Sequence, residues 1–197
     1  MKYAIIGTGN VGTALARQFS RAGIAVSIAN TRGPETTAAL ITELGDTVTA
    51  VTIKTAVTAD VIFLAIPFMA VETFARTRGD WTGKLIIDCT NAYGATPEFM
   101  AGRLSSNIVA AYLPGAALVK AFNQLPVGVL ARDPAQHGGK RVVFIAANDE
   151  PACATVKKLA EQLGFSPIPL GRIDEGGRLI EKGAPLVLHN LIEYPFK

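Results

Sequence analysis

Residues that commonly carry chemistry are scarce in this sequence. There are two cysteines, Cys89 and Cys153, far apart and without metal-type spacing. That excludes a disulfide framework and a cysteine-rich metal site, and implies reduced thiols in an intracellular protein. There are two histidines, His137 and His189, so neutral-pH bases are few. No His/Cys/Asp cluster suggests a metal, and no G-x-S-x-G suggests a hydrolase. Charge of one sign is also missing. The formal net charge is +3 with no run of basic residues, which argues against a nucleic-acid or membrane surface. The longest apolar run, VIFLAIPFMAV from Val61 to Val71, falls short of the roughly 20 residues a bilayer span needs. The opening MKYAIIGTGNVG is interrupted by glycines too early for a signal-peptide core. The expected compartment is the cytoplasm. No repeat, low-complexity segment or linker divides the chain.

What is present supports a sizeable core. Apolar residues make up 49% of the 197 and charged residues 18%, enough for one large domain. Strand and helix patterns alternate. Strands are expected at 2–6, 24–30, 48–52, 61–66 and 84–90, in AALVKAF and RVVFIAA, and at 166–171. Helices are expected in NVGTALARQFSRAG, PETTAALITELG and FMAVETFARTRG, in SSNIVAAYLPG with a serine cap, and in DEPACATVKKLAEQLG capped near Asp149. Continuous apolar strands separated by helices imply a mostly parallel sheet covered on both faces. The expected fold is α/β, a Rossmann-type doubly wound sheet in a single domain over residues 1–197. From Asp174 the chain reads as helical again, broken at Gly183–Pro185. These C-terminal helices are expected to pack on one edge of the sheet, at an acceptor site or a dimer interface.

Gly7-Thr8-Gly9-Asn10-Val11-Gly12 fits G-x-G-x-x-G. It follows a predicted strand and opens a predicted helix, the context this motif needs. The first glycine makes the tight turn, the second lets backbone approach a pyrophosphate, and the third lets helix and strand pack closely. The helix N-terminus adds free N–H groups and a positive dipole end. The stretch IANTRGPET then discriminates between dinucleotides. An acid at the end of the second strand would bond a ribose 2′-hydroxyl and repel a 2′-phosphate. Asn30 occupies that place, followed by Thr31 and Arg32. The Arg32 fork can clamp a phosphate and the Thr31 hydroxyl can donate to it, so the stretch favours NADP(H) over NAD(H). Glu35 lies close by and opposes this preference unless it points away along its helix. Pro67, Asn91 and Asn123 fall just after predicted strands, where open α/β sheets bind ligands.

The segments AIIGTGNVG, NTRG, FLAIPF, LIIDCTN, KAFNQLP and PIPLGRIDEGG occur in this order. Together they resemble the F420-dependent NADP reductase family, also seen in the cytoplasmic domain of the STEAP metalloreductases, over essentially the whole chain. The resemblance implies an NADP(H)-binding domain, usually a homodimer, that passes hydride to a second redox cofactor such as F420 or a flavin. It implies that Thr8 to Val11 hold the pyrophosphate and that Thr31 and Arg32 hold the 2′-phosphate. It places Ile66 and Pro67 in a nicotinamide pocket, with Asn123 and Leu125 on the other side. One segment departs from the pattern. F420 reductases of this family usually continue past the final helix into a glycine-containing tail that helps form the deazaflavin site, whereas this sequence reads LIEYPFK there. The departure counts against F420 as the partner and leaves NADP(H) untouched.

Hydride transfer between two cofactors asks little of side chains, so no catalytic residue is assigned. An alcohol dehydrogenase would need a proton donor near the carbonyl. His137, in DPAQHGGK, reads as solvated. His189 reads as a packed or dimer-facing residue of an apolar helix. Lys120 reads as reaching from its strand to a sheet edge or a backbone carbonyl, and Cys89 as a small buried apolar residue. Three functions remain open. The first is an NADPH-dependent oxidoreductase with a small-molecule hydride acceptor or donor. The second is an NADP(H) sensor without turnover. The third is a reductase of a small imine or carbonyl, with His189 or Lys120 as proton donor.

Overall fold

The apolar runs pair side by side into one sheet. The structure is a computed structural model and describes residues 1–195. Strands β1 (Tyr3–Ile6), β2 (Val26–Ala29), β3 (Val48–Ala50), β4 (Val61–Leu64), β5 (Leu85–Asp88) and β6 (Ala117–Ala121) run parallel in the order β3-β2-β1-β4-β5-β6. A short β7 (Ala135–Gln136) turns into the long β8 (Gly139–Ala147), which lies antiparallel to β6. Strand β9 (Ser166–Pro169) runs parallel to β8, and β10 (Ile192–Glu193) runs antiparallel to it. The helices are α1 (Asn10–Arg21), α2 (Ala38–Leu44), α3 (Ile53–Ala56), α4 (Val71–Ala75), α5 (Pro97–Met100), α6 (Ser105–Tyr112), α7 (Val127–Leu130) and α8 (Glu150–Gln162).

Successive side chains of a strand point to opposite faces, so each buried strand feeds two cores. In β4, Val61 and Phe63 join the core packed by Leu15 and Phe19 of α1 and by Val156 and Leu159 of α8. Ile62 and Leu64 join the opposite core, packed by Val71 and Phe74 of α4 and by Ile108 and Val109 of α6. The sheet is therefore covered on both faces, as its continuous apolar strands require. Through the first core runs a line of rings, Tyr3, Phe19, Phe63, Phe122 and Phe165, with neighbouring centroids 5.5–5.8 Å apart. Such tilted and edge contacts add about 0.5–1.5 kcal/mol each beyond the burial itself. The cap expected for α8 is formed, with the Asp149 carboxylate accepting from the Ala152 N–H at 2.7 Å.

Two expectations need correction. Leu104, not a serine, holds the cap position of α6, and Ser105 and Ser106 turn into the molecule. The helical reading from Asp174 also fails. That segment forms a 3₁₀ turn, Gly176–Ile180, then turns, then β10. Close backbone approach is one reason: a Cβ on Gly176 would sit 1.9 Å from the Leu170 carbonyl oxygen. Gly183 at φ +82° and Leu188 at φ +66° interrupt the apolar run PLVLHNLIEY, and Pro185 lacks the N–H a helix needs. The segment still docks on the sheet, with Ile192 paired to Arg141 of β8. The buried Arg141 guanidinium reinforces that docking, donating to Asn190 Oδ1, to the Asp133 carbonyl at 3.3 Å and to Gln136 Oε1 at 3.2 Å.

Candidate functional site

The winding reverses between β1 and β4, with β2 and β3 on one side and β5 and β6 on the other. Splayed loops at such a reversal leave a crevice beyond the strand ends. Two clefts open there. The first, about 360 Å³, is lined by Gly7, Thr8 and Gly9 after β1, by Asn30, Thr31 and Arg32 after β2, and by Ala65, Ile66 and Pro67 after β4. Ile53, Thr73, Phe74 and Thr77 complete it. The second, about 390 Å³, is lined by Asn10, Val11, Phe68, Cys89, Thr90, Asn91, Tyr93 and Val127. Both share Ala65, Ile66 and Pro67, so one extended ligand can lie across both.

The glycines divide their work as the motif reading expects. Gly7 sits at φ +110°, and a Cβ there would lie 2.2 Å from the Ala65 carbonyl oxygen. A Cβ on Gly12 would lie 1.9 Å from the Gly7 carbonyl oxygen, so helix and loop touch through bare backbone. A Cβ on Gly9 would meet nothing within 4 Å, which leaves open space above the loop. The first turn of α1 carries no acid and no side-chain cap, so its N–H groups and positive end face that space. This is the geometry that a pyrophosphate cradle requires.

Asn30 does more than remove a negative charge. Its Nδ2 donates to Thr8 Oγ1 at 2.8 Å and to Thr36 Oγ1 at 3.0 Å, while its Oδ1 accepts from the Arg32 N–H at 2.8 Å. It thereby ties the glycine loop to the turn carrying Arg32. Arg32 is exposed, and among the described residues its guanidinium enters no ion pair. Glu35 does not point away along its helix. Its carboxylate lies over Gly33, whose added Cβ would sit 2.3 Å from one of its oxygens.

The wall of the second cleft rests on a buried ion pair. Asp88 and Lys120 face each other in register at the ends of β5 and β6, both side chains fully buried, with Lys120 Nζ 3.3 Å from Asp88 Oδ2. Lys120 Nζ also donates to the Thr90 carbonyl and to Ser105 Oγ, each at 3.2 Å. Asp88 accepts from Ser106 Oγ at 2.6 Å and from the Thr90 N–H and hydroxyl at 2.9 and 2.7 Å. The backbone carbonyl expected for Lys120 is there, but the carboxylate partner was not read from the sequence.

Beyond β6, Phe122 adopts φ +62°, a left-handed conformation costing about 1–2 kcal/mol for a residue with a Cβ. The Asn123 Nδ2 beyond it donates to Asn91 Oδ1 at 3.0 Å and to the Ile180 carbonyl at 2.6 Å, and Asn91 Nδ2 donates back to the Asn123 carbonyl at 2.9 Å. Asn91 lines the second cleft, whereas Asn123 stands buried behind it. Leu125 packs in the core and lines neither cleft; Val127, the first residue of α7, lines the second. Neither histidine lines a cleft. His137 and His189 are exposed in loops, so the packed, helical reading of His189 is also corrected.

Cys89 is buried against the second cleft. Burial pushes its thiol well above the ordinary value, the Asp88 charge adds to this, and Lys120 opposes it. We expect iodoacetamide to modify Cys89 on the order of a hundredfold more slowly in the native protein than in denaturant, read by mass spectrometry. Equal rates would contradict this placement. Among the described residues no group of three or more His, Cys, Asp and Glu side chains could hold a metal ion. No helix among them is long and apolar enough to cross a membrane.

A glycine loop opening on a helix N-terminus at the winding reversal defines a dinucleotide-binding α/β sheet. Residues 2–92, a little under half of the chain, match the model of the family described as NADP oxidoreductase, coenzyme F420-dependent. It is 28% identical over 175 residues to Metalloreductase STEAP3 of Rattus norvegicus, covering 87% of this chain and 34% of that protein. The chain thus spans about a third of the length of this curated relative. Among solved structures it is similar to hypothetical protein SMa0349 from Sinorhizobium meliloti, at 41% identity and TM-score 0.93, covering 98% of this chain and 96% of that one. It also shares its fold with a structure from Arthrobacter sp. FB24 provisionally assigned as an F420 dependent NADP-reductase. That match has TM-score 0.68 and 24% identity, over 88% of this chain and 86% of the other.

Proposed function

We propose that this chain transfers hydride between NADP(H), lying across the two clefts, and a flavin-like or deazaflavin-like acceptor at the second. One observation carries the reading: Asn30 stands where an acid would exclude a 2′-phosphate, and beside it Thr31 and Arg32, the latter in no ion pair among the described residues, line the first cleft, whereas Glu35 lies over Gly33 outside that lining. Thr31 and Arg32 hold that phosphate, Thr8 to Val11 the pyrophosphate, and Ile66, Pro67 and Asn91 the nicotinamide. NADPH, when bound, supplies the hydride, becoming NADP⁺ as the acceptor gains two electrons and one hydrogen nucleus. The described lining of the second cleft has no histidine and no carboxylate, which a hydride transfer between rings does not need. The same scarcity favours the second reading, an NADP(H) sensor without turnover. The homodimer belongs to this proposal too, supported by the exposed Leu188, Leu191 and Tyr194.

Arg32→Ala is the test. It is expected to weaken NADPH binding by about 1.5–3 kcal/mol, the scale of a charged hydrogen bond, with NADH nearly unchanged. Calorimetric titration of both cofactors checks it. Equal loss for NADPH and NADH would sink the 2′-phosphate assignment. Oxidation of NADPH with FMN or F420 then separates the enzyme from the sensor, which would bind NADPH tightly and consume none.

A further inference from the structure

The rim of the second cleft carries what its lining lacks. The lining itself holds no lysine, arginine or carboxylate. Tyr93, which lines the cleft, is 60% exposed, and Met69, next in sequence to the lining residue Phe68, is 47% exposed. Met69 lies near the backbone that follows Tyr93: a Cβ on Gly94 would lie 3.8 Å from Met69 Cγ. Apolar side chains left in water beside a cleft mark ligand contact more often than apolar side chains standing singly.

A cation is held over this platform. Lys182 Nζ lies 5.0 Å from the centroid of the Tyr93 ring. Among the described residues it enters no ion pair, so the ring face is the partner it has. The neighbouring carboxylate, Glu181, is turned inward and accepts from Ser105 Oγ at 2.9 Å. The residue before that, Ile180, is fully buried, and its carbonyl accepts from Asn123 at 2.6 Å. Lys182 therefore follows two anchored residues and projects at the cleft mouth without a neutralising acid.

The geometry points to Lys182 as the anion anchor of the hydride acceptor. A planar ring enters past Tyr93 toward the nicotinamide side, and an anionic group borne by that ring pairs with the Lys182 ammonium. This rests on the hydride-transfer reading above and adds to it the residue, Lys182, by which the site would select an acceptor carrying a negative group over a neutral one.

FMN and riboflavin share one ring system and differ by a phosphate, so the pair isolates the anchor. Each is titrated into the NADP⁺-loaded protein and followed by flavin fluorescence, alongside NADPH oxidation with each. FMN is expected to bind about 5–10-fold tighter than riboflavin at low salt, within reach of one charge-assisted contact at a partly exposed site. The preference should shrink at ~1 M salt, where the Debye length is about 3 Å. It should vanish in Lys182→Ala, survive in Lys182→Arg, and survive in Lys158→Ala, an exposed lysine on α8. Equal binding of the two flavins, binding of neither, or a preference that persists in Lys182→Ala overturns the anchor. The two readings fail separately. A Lys182-dependent FMN preference with no NADPH oxidation sustains the anchor and ends the hydride-transfer reading. Oxidation with both flavins at equal apparent affinity does the reverse.

Discussion

Lys120→Met is expected to lose about 3–5 kcal/mol of folding stability, measured as a fall in the urea midpoint. Removing the ammonium leaves the Asp88 carboxylate fully buried without its counter-charge. It also strips a donor from the Thr90 carbonyl and from Ser105 Oγ. Methionine fills most of the lysine stem's volume, so the loss reports the charge rather than a cavity. The double variant Asp88→Asn/Lys120→Met should recover more than half of the loss, because the uncompensated charge is gone and the amide oxygen can still accept from Thr90. A wild-type midpoint for Lys120→Met would contradict the buried pair. Equal loss in single and double variants would assign the effect to packing.

Gly12→Ala and Gly9→Ala are expected to part company. The new Cβ at position 12 would meet the Gly7 carbonyl oxygen at 1.9 Å. Gly7 cannot yield easily, since its N–H donates to the Ala29 carbonyl at 2.8 Å and its own flank touches Ala65. Helix and loop must separate, an overpacking cost of about 1–3 kcal/mol that lowers Tm by roughly 5–10 °C. NADPH affinity should fall at least about a hundredfold, because the amide cradle opens with the helix. Gly9→Ala meets nothing within 4 Å and sits at φ −77°, a conformation alanine accepts. Its Tm should stay within about 2 °C, yet NADPH should bind more weakly, because the methyl group occupies the space a pyrophosphate would take. A Tm loss in Gly9→Ala equal to that in Gly12→Ala would refute this division of roles.

Local signals in the sequence were strong where backbone and burial decide. The alternation of apolar strands and amphipathic helices led to the sheet, and the first cleft was legible because Gly7–Gly12 and Asn30–Arg32 each lie within one short stretch. The second cleft depends on residues far apart in sequence. Asp88 in LIIDCT and Lys120 in ALVKAF are single, opposite charges inside apolar strands. Such charges are buried only when paired, a signal the sequence reading passed over because the two residues lie on different strands. Leu125 was placed at the nicotinamide by the family resemblance, and the left-handed Phe122 redirects that segment into the core. The C-terminal stretch misled because its apolar spacing is helical while its backbone, at Gly176 and Leu188, is not. Tyr93 and Lys182 are far apart in sequence, and only the folded chain brings them together.

The two clefts draw on different parts of the chain, and this has a consequence in time. The described lining of the first comes entirely from residues 6–77. The second needs residues up to Val127, and its supporting network is closed by Ile180 and Glu181. Synthesis at roughly 5–20 residues per second puts on the order of 5–20 s between Thr77 and that closure. Until then the Asn123 amide lacks the Ile180 carbonyl and the Ser105 hydroxyl lacks the Glu181 carboxylate. A growing chain therefore has the whole lining of its nucleotide cleft synthesised well before its acceptor side can be finished.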